Sequence, residues 1–248
     1  GLYNWAAQVT VANCTFIGNI AAVSGGAIAN ERNGAIVPQL KIENCVFYQN
    51  NAQRKADSAA NPIRGGGAIF SNQADVTIAF STFVSNIVDI STGGLYGLQS
   101  GGFFGYNTTN ATQINSCIFW NNTPALANCV QVLCGIGAPP GCGLPTIINT
   151  NINQNQDPLF ATAAPEFELQ SVSSFVNTGT TPYSLATDIR MVPRPQNVNN
   201  DRGAYETVTQ PMTAACRNDQ SVSLDNTGHA TLPAVNLADI VNSVVPGG

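Results

Sequence analysis

Short runs of alternating apolar and polar residues recur through the first half of the chain. Each run ends in a Phe followed three residues later by an Asn: FIGN at 16–19, FYQN at 47–50, FVSN at 83–86 and FWNN at 119–122. The Phe residues stand 31, 36 and 36 positions apart. Seven and five residues before each Phe lie apolar or β-branched side chains: Val9 and Val11, Leu40 and Ile42, Val76 and Ile78, Thr112 and Ile114. Two residues before it lies a small one: Cys14, Cys45, Ser81 or Cys117. A degenerate fifth copy places Ile152 in the Phe slot and Asn155 in the Asn slot. A Gly-pair motif alternates with this one, as GGAIAN at 25–30 and GGAIF at 66–70. Looser versions are GGLYG at 93–97, GGFFG at 101–105, and an opening GLYN that lacks its first Gly.

A period in this range marks a solenoid, a propeller or a helical array. Period-two alternation and paired glycines exclude helices. Hairpin signals are nearly absent, Asn33-Gly34 being the one candidate, which argues against four-stranded blades. The pattern predicts an all-β solenoid whose coils, of about three short strands each, stack about 4.8 Å apart. Phe16, Phe47, Phe83 and Phe119 then stack inside the coils, and the small residue two positions earlier points the same way. Asn19, Asn50, Asn86 and Asn122 fall at one turn, where their amides can bond the Asn above and below and tolerate a left-handed backbone. The Gly pair marks another corner.

The chain has 248 residues, room for one large all-β domain or one domain and part of a second. Hydrophobic residues make up 44%, enough for a core, whereas charged residues are only 9%. Neutral Asn, Gln, Ser and Thr carry the polarity instead, as suits stacked strands in which like charges would repel. The net charge is −5 and no basic cluster occurs, so nucleic acid is not an expected partner. No apolar run is long enough to span a bilayer as a helix, and no leader pattern opens the chain. The opening GLYNW already looks like a strand. The expectation is a chain that has lost its leader or is a fragment of a longer one.

The paired GGA[ILV] and FxxN motifs resemble the repeats of the polymorphic outer membrane proteins of chlamydiae, repeats that also occur in many exported bacterial β-helix proteins. The resemblance covers roughly residues 1–155 and implies a right-handed parallel β-helix, the usual hand for parallel crossovers. DPLF at 157–160, FELQ at 167–170, DIRMVPRPQ at 188–196 and DRGAYE at 201–206 resemble the closing segment of surface-anchored bacterial β-helix proteins. That resemblance implies an end to the helix from about residue 157, capping the open coil. CRNDQSVSLDNTGHATL at 216–232 is similar to the first strands of immunoglobulin-like repeats in giant surface proteins of the Bacteroidota, many exported by type IX secretion. It implies that 1–206 is the β-helix and that 207–248 begins an Ig-like sandwich, with Cys216 lacking its partner. Val222, Leu224, Ala230 and Leu232 would alternate on two strands around the turn at 225–228.

Candidate chemistry is thin. The single histidine, His229, lies outside the predicted helix and reads as a solvated turn residue. Asp57, Asp75 and Asp89 are scattered, and no paired carboxylates stand ready for hydrolase or lyase work. The densest charge is the insertion at 50–67, with Arg54, Lys55, Asp57 and Arg64; it is either a solvated loop or a ligand-contacting arm. Tyr96, Phe103, Phe104 and Tyr106 are either core or a sugar-stacking platform. Cys129, Cys134 and Cys142 have room for one disulfide, which fits an exported protein; the rival zinc site lacks C-x-x-C pairs and a nearby His. Cys14 and Cys45 occupy successive copies, which stacking brings about 4.8 Å apart, within disulfide range; in-register stacking favours buried free thiols over that disulfide. The sequons at Asn13 and Asn110 carry no expected role in a bacterial protein.

The resulting expectation is a non-enzymatic, extracellular module of the bacterial cell surface, with no cofactor and no metal, serving adhesion or forming part of a surface fibre or appendage used in attachment, gliding or cell capture. Its expected partners are other parts of the same giant chain, further copies in a fibre, and a glycan or protein on a host or prey cell. The alternative is a carbohydrate-active β-helix enzyme of the polysaccharide-lyase kind. Leu2 and Trp5 would line an exposed parallel edge at an incomplete first coil.

Overall fold

The computed structural model describes residues 1–53, 65–89, 100–107, 112–123, 130–133, 146–148, 150, 156–180 and 185–208. Every regular element among them is a β-strand, and every strand pairs in parallel. The chain winds through four sheets, contributing one strand per coil to each. The first sheet holds β1 (Leu2–Trp5), β5 (Ile28–Glu31), β9 (Ile69–Asn72), β13 (Phe103–Tyr106) and β16 (Val130–Leu133). The second holds β2 (Gln8–Ala12), β6 (Gln39–Glu43), β10 (Asp75–Ala79), β14 (Gln113–Asn115) and β17 (Thr146–Ile148). The third holds β3 (Thr15–Ile17), β7 (Val46–Tyr48), β11 (Thr82–Val84) and β15 (Ile118–Trp120). The fourth holds β4 (Ile20–Ala21), β8 (Asn51–Ala52) and β12 (Ile87–Val88), continued by a bridge from Ile87 to Thr123. The architecture is thus an all-β parallel solenoid. A full coil has four strands rather than three. The two residues after Asn19, Asn50 and Asn86 pair with their neighbours, too short a run to show as alternation in the sequence.

Register follows side-chain size. Val11, Ile42, Ile78, Ile114 and Ile147 form one inward column of the second sheet. Phe16, Phe47, Phe83 and Phe119 align in the third, with ring centroids 5.0, 4.6 and 4.4 Å apart and planes within 5° of parallel. Aromatic rings in isolation favour offset or edge-on contacts; here the coil spacing holds them face to face. The fifth copy keeps the register at Ile147 and Thr150, while Ile152 and Asn155 lie outside the described residues.

The Gly-pair corner works by close approach. A Cβ on Gly67 would sit 2.5 Å from Gly101 O in the next coil and 2.6 Å from Ile87 N in its own. That requirement resets the loose motifs by one position. Phe103, not Phe104, pairs with Ile69, so Ser100-Gly101-Gly102-Phe103 is the counterpart of GGAI, and Leu2 pairs with Ile28. A one-residue slip would turn the whole strand inside out.

Residues Gly1–Thr207 form one compact unit and Val208–Gly248 a second. Residues 209–248, with Cys216, His229 and the predicted hairpin, lie outside the described residues. The motifs from about residue 157 to 206 predict a segment that closes the helix by capping the open coil. Its described part instead lies along the flank, over the outward face of the third sheet. Phe167, Ala204 and Tyr205 pack with Val46, Val84, Tyr48 and Trp120, and Leu169 and Phe175 pack with Ile118. The reason lies in β7, β11 and β15: their outward residues Val46, Thr82, Val84 and Ile118 are as apolar or uncharged as their inward ones. A face of that kind needs a cover.

Phe83→Ala should cost about 3–5 kcal/mol, because it removes the ring between two stacked neighbours and leaves a cavity that the rigid coils cannot close. Urea denaturation measures it. A loss under about 1 kcal/mol would show that the stack contributes little.

Candidate functional site

The four ladder asparagines meet at the corner between the third and fourth sheets. Asn19 Nδ2 donates to Asn50 Oδ1 at 2.9 Å, Asn50 Nδ2 to Asn86 Oδ1 at 2.9 Å, and Asn86 Nδ2 to Asn122 Oδ1 at 2.8 Å. Each of those oxygens also accepts the main-chain N–H of the previous Asn, at 3.1, 3.0 and 2.9 Å. The second N–H of Asn50, Asn86 and Asn122 donates to the carbonyl of Phe16, Phe47 and Phe83. At Asn50 and Asn86 the whole side-chain capacity is therefore used, two donors and two accepting lone pairs. Asn50, Asn86 and Asn122 are fully buried. The left-handed backbone falls one residue earlier than expected, on Gly18, Gln49, Ser85 and Asn121. The amide must lie inside the corner to reach its neighbours, so the preceding residue takes the turn.

The small-residue slot has a chemical reason beyond size. Cys14, Cys45, Ser81, Cys117 and Thr150 each donate to the carbonyl two residues back, at 3.0–3.1 Å. Ser81 Oγ and Thr150 Oγ1 also accept the N–H of the Cys one coil earlier. Cys14, Cys45 and Cys117 are free. Burial pushes the Cys45 and Cys117 thiols up to about 12, so they are neutral and unreactive at ordinary pH. A second buried polar column runs through the first sheet, from Asn4 Nδ2 to Asn30 Oδ1 (2.7 Å) and Asn30 Nδ2 to Ser71 Oγ (3.1 Å). The N of GGAIAN was its signal in the sequence.

Charge collects in the flanking segment. Arg194 and Glu206, both buried, pair at 2.8 Å. Arg194 also donates to the carbonyls of Asp201 and Gly203, and its guanidinium lies 4.8 Å from the centre of the Phe80 ring. Burial pulls the Arg194 pKa down, against the pull of Glu206, Asp188 and Asp201. An arginine starts so high that it stays charged. Burial likewise raises the Glu206 carboxyl, while two main-chain N–H groups and Arg194 hold it down. Asp188 accepts the N–H groups of Arg190, Val192 and Glu206, and Asp201 those of Asn177 and Thr207. Arg190 bonds Asp188 and Glu168 and lies over Tyr205. The acids and bases of DIRMVPRPQ and DRGAYE therefore serve to hold an irregular backbone in shape.

The outward face of the second sheet is an accessible polar surface. Gln8, Thr10, Gln39, Lys41, Asp75 and Thr77 line an open groove of about 500 Å³ there, crossing three coils. Lys41 Nζ pairs with Glu43 Oε1 at 2.7 Å beside it. On the adjoining first sheet Tyr3 and Trp5 are exposed, with centroids 5.5 Å apart. Phe103 and Phe104 are fully buried, on opposite faces of β13, so neither can stack a sugar ring; Tyr106 is half-buried. Tyr96, Arg54, Lys55, Asp57 and Arg64 lie outside the described residues, as do Cys129, Cys134 and Cys142. Among the described residues no group of three or more His, Cys, Asp or Glu side chains could hold a metal ion. The groove had no signal in the sequence, because its side chains belong to three copies.

No protein-family model, curated protein or solved structure matches the chain.

Asn86→Asp should destabilise by several kcal/mol, on the scale of a broken buried charge pair. It replaces the two N–H donors of Nδ2 with a single carboxylate oxygen facing Asn122 Oδ1 and Phe47 O; thermal unfolding against the wild type measures it.

The buried thiols set an alkaline limit. From an ordinary value of 9.0 they rise to about 12, so the folded state keeps protons that the unfolded chain releases. Their contribution is complete below pH 9 and is lost as pH climbs towards 12, at about 1.4 kcal/mol per pH unit per thiol. Denaturation midpoints at a series of pH values should fall accordingly. Cys45→Ser with Cys117→Ser should flatten that fall and change stability at neutral pH by only about 1 kcal/mol, since Ser81 already fills the slot in the intervening coil.

Proposed function

We propose that the chain is a non-enzymatic module of a large exported protein on the bacterial cell surface, serving adhesion or forming part of a surface fibre. One observation carries this reading: the Asn ladder and the Phe stack run unbroken through the first four coils and tie each coil to the next. Coils joined in this way suit a spacer that holds a contact surface away from a cell. The low charge suits close approach to another surface and to the hydroxyl groups of glycans. The groove of the second sheet, with amide, hydroxyl, ammonium and carboxylate groups spaced by the coil repeat, offers donors and acceptors for such a chain.

The finer architecture in this proposal is a right-handed parallel β-helix, as the repeat motifs suggest, followed from about residue 207 by the start of an Ig-like domain. Further partners would be other parts of the same long chain and copies of it in a fibre.

Binding to a panel of immobilised cell-surface polysaccharides tests the proposal, with ultraviolet absorbance followed for unsaturated products. We expect retention of at least one glycan without turnover. Gln39→Arg with Thr77→Arg should abolish retention; at exposed Gln39 the change should alter stability by less than about 0.5 kcal/mol, while at half-buried Thr77, opposite Lys41, it should cost about 1 kcal/mol. Reproducible turnover would overturn the non-enzymatic reading, and undiminished retention by the double variant would move the contact off this face.

A further inference from the structure

The corner between the second and third sheets carries a residue with positive φ in each of the first four coils: Asn13, Asn44, Phe80 and Ser116, at 53°, 49°, 46° and 51°. Asn and Ser are short polar side chains, and Asn in particular is at ease in this region. A bulky Phe there is an outlier that costs about 1–2 kcal/mol, and nothing in the repeat calls for it. Phe80 is nevertheless fully buried.

The flanking segment accounts for it. The Arg194 guanidinium, itself buried and paired with Glu206, lies on the Phe80 ring, and a Cβ on Gly179 would lie 3.1 Å from that ring's edge. The corner residues on either side are taken up by the same segment. Asn44 Nδ2 donates to Thr187 O at 2.7 Å, and Ser116 Oγ accepts Thr180 N–H at 3.0 Å. Two N–H groups of the strap's main chain donate between them: Ala204 N–H to Thr82 Oγ1 at 2.9 Å and Gly203 N–H to Ser116 O at 2.8 Å. Gly203 has to be glycine for this approach. Its φ is +87°, and a Cβ would come within 2.6 Å of Thr82 Oγ1 and 2.8 Å of Ile118 Cδ1. Asn13, in the first coil, is exposed.

We propose that residues 156–180 and 185–207 form a strap that fastens the second, third and fourth coils into one opening unit, with Phe80, held in a strained corner, as its central anchor. In a plain solenoid each coil touches only its neighbours, so coils can open one at a time from an end. A strap gripping three successive corners ties coils that do not touch each other. The strain at Phe80 is kept because the strap over-determines it. In the surface module proposed above, such a staple stops the stack from unzipping coil by coil.

Native-state hydrogen exchange on the whole chain tests this. The N–H groups of Asn50 and Asn86 in the ladder and of Gly203 in the strap should open with one common free energy. Gly203→Ala should speed exchange at all three by at least tenfold and leave Asn19 nearly unchanged. Should that variant not fold, Asn44→Asp keeps the side-chain size and the tolerance of a left-handed corner, removes the N–H donor to Thr187 O, and should speed Asn50 and Gly203 together by a few-fold. If strap amides speed up in either variant while Asn50 and Asn86 keep their protection, the segment is a passive cover and the proposal fails.

Discussion

Everything in this molecule depends on the coil-to-coil spacing that the parallel main-chain ladders impose. Once strands repeat about 4.8 Å apart, any residue type that recurs at one position must be able to touch itself. Amides can, because one end of the side chain donates and the other accepts. Phenyl rings can, because they are flat. Lysines and carboxylates cannot, and they are scarce in the repeats. The Asn ladder shows how far this goes, with each inner amide bonding the coil ahead and the coil behind while its oxygen also accepts a main-chain N–H. Aligned amides polarise one another, so the ladder gains from length.

The same constraint explains where the charge is. Buried acids and bases gather in the irregular strap, where no coil repeats them and each can be given its own partner. Arg194, Glu206, Asp188 and Asp201 enclose main-chain N–H and carbonyl groups that the strap, having little regular pairing, cannot satisfy by itself. A buried ion pair is weak evidence for stability in general. Here its geometric effect is clear, since it seats a guanidinium on Phe80 and brings Gly203 against Thr82 and Ile118.

Much of the solenoid was legible in the residues. The Phe and Asn positions, the inward aliphatic columns and the small slot are each set by local period and by self-contact, so aligning the copies was enough to find them. The Gly corner was half legible. GGAI marked the place, but in the first and fourth coils the register is one residue off the motif, because the glycine that matters is the one facing the backbone of the next coil. The fourth strand of each coil, only two residues long, had no periodicity to betray it.

The sequence by itself determined the repeat, the stacking residues and the all-β parallel character, because in a solenoid each of these rests on contacts between equivalent positions, and equivalence can be read by alignment. Only the tertiary structure decided where residues 156–180 and 185–207 go. Their contacts join dissimilar segments far apart in sequence, as Asn44 with Thr187, Phe80 with Arg194 and Thr82 with Ala204. No period links such pairs. What brings them together is the apolar outward face of β7, β11 and β15, which exists only after the coils have stacked.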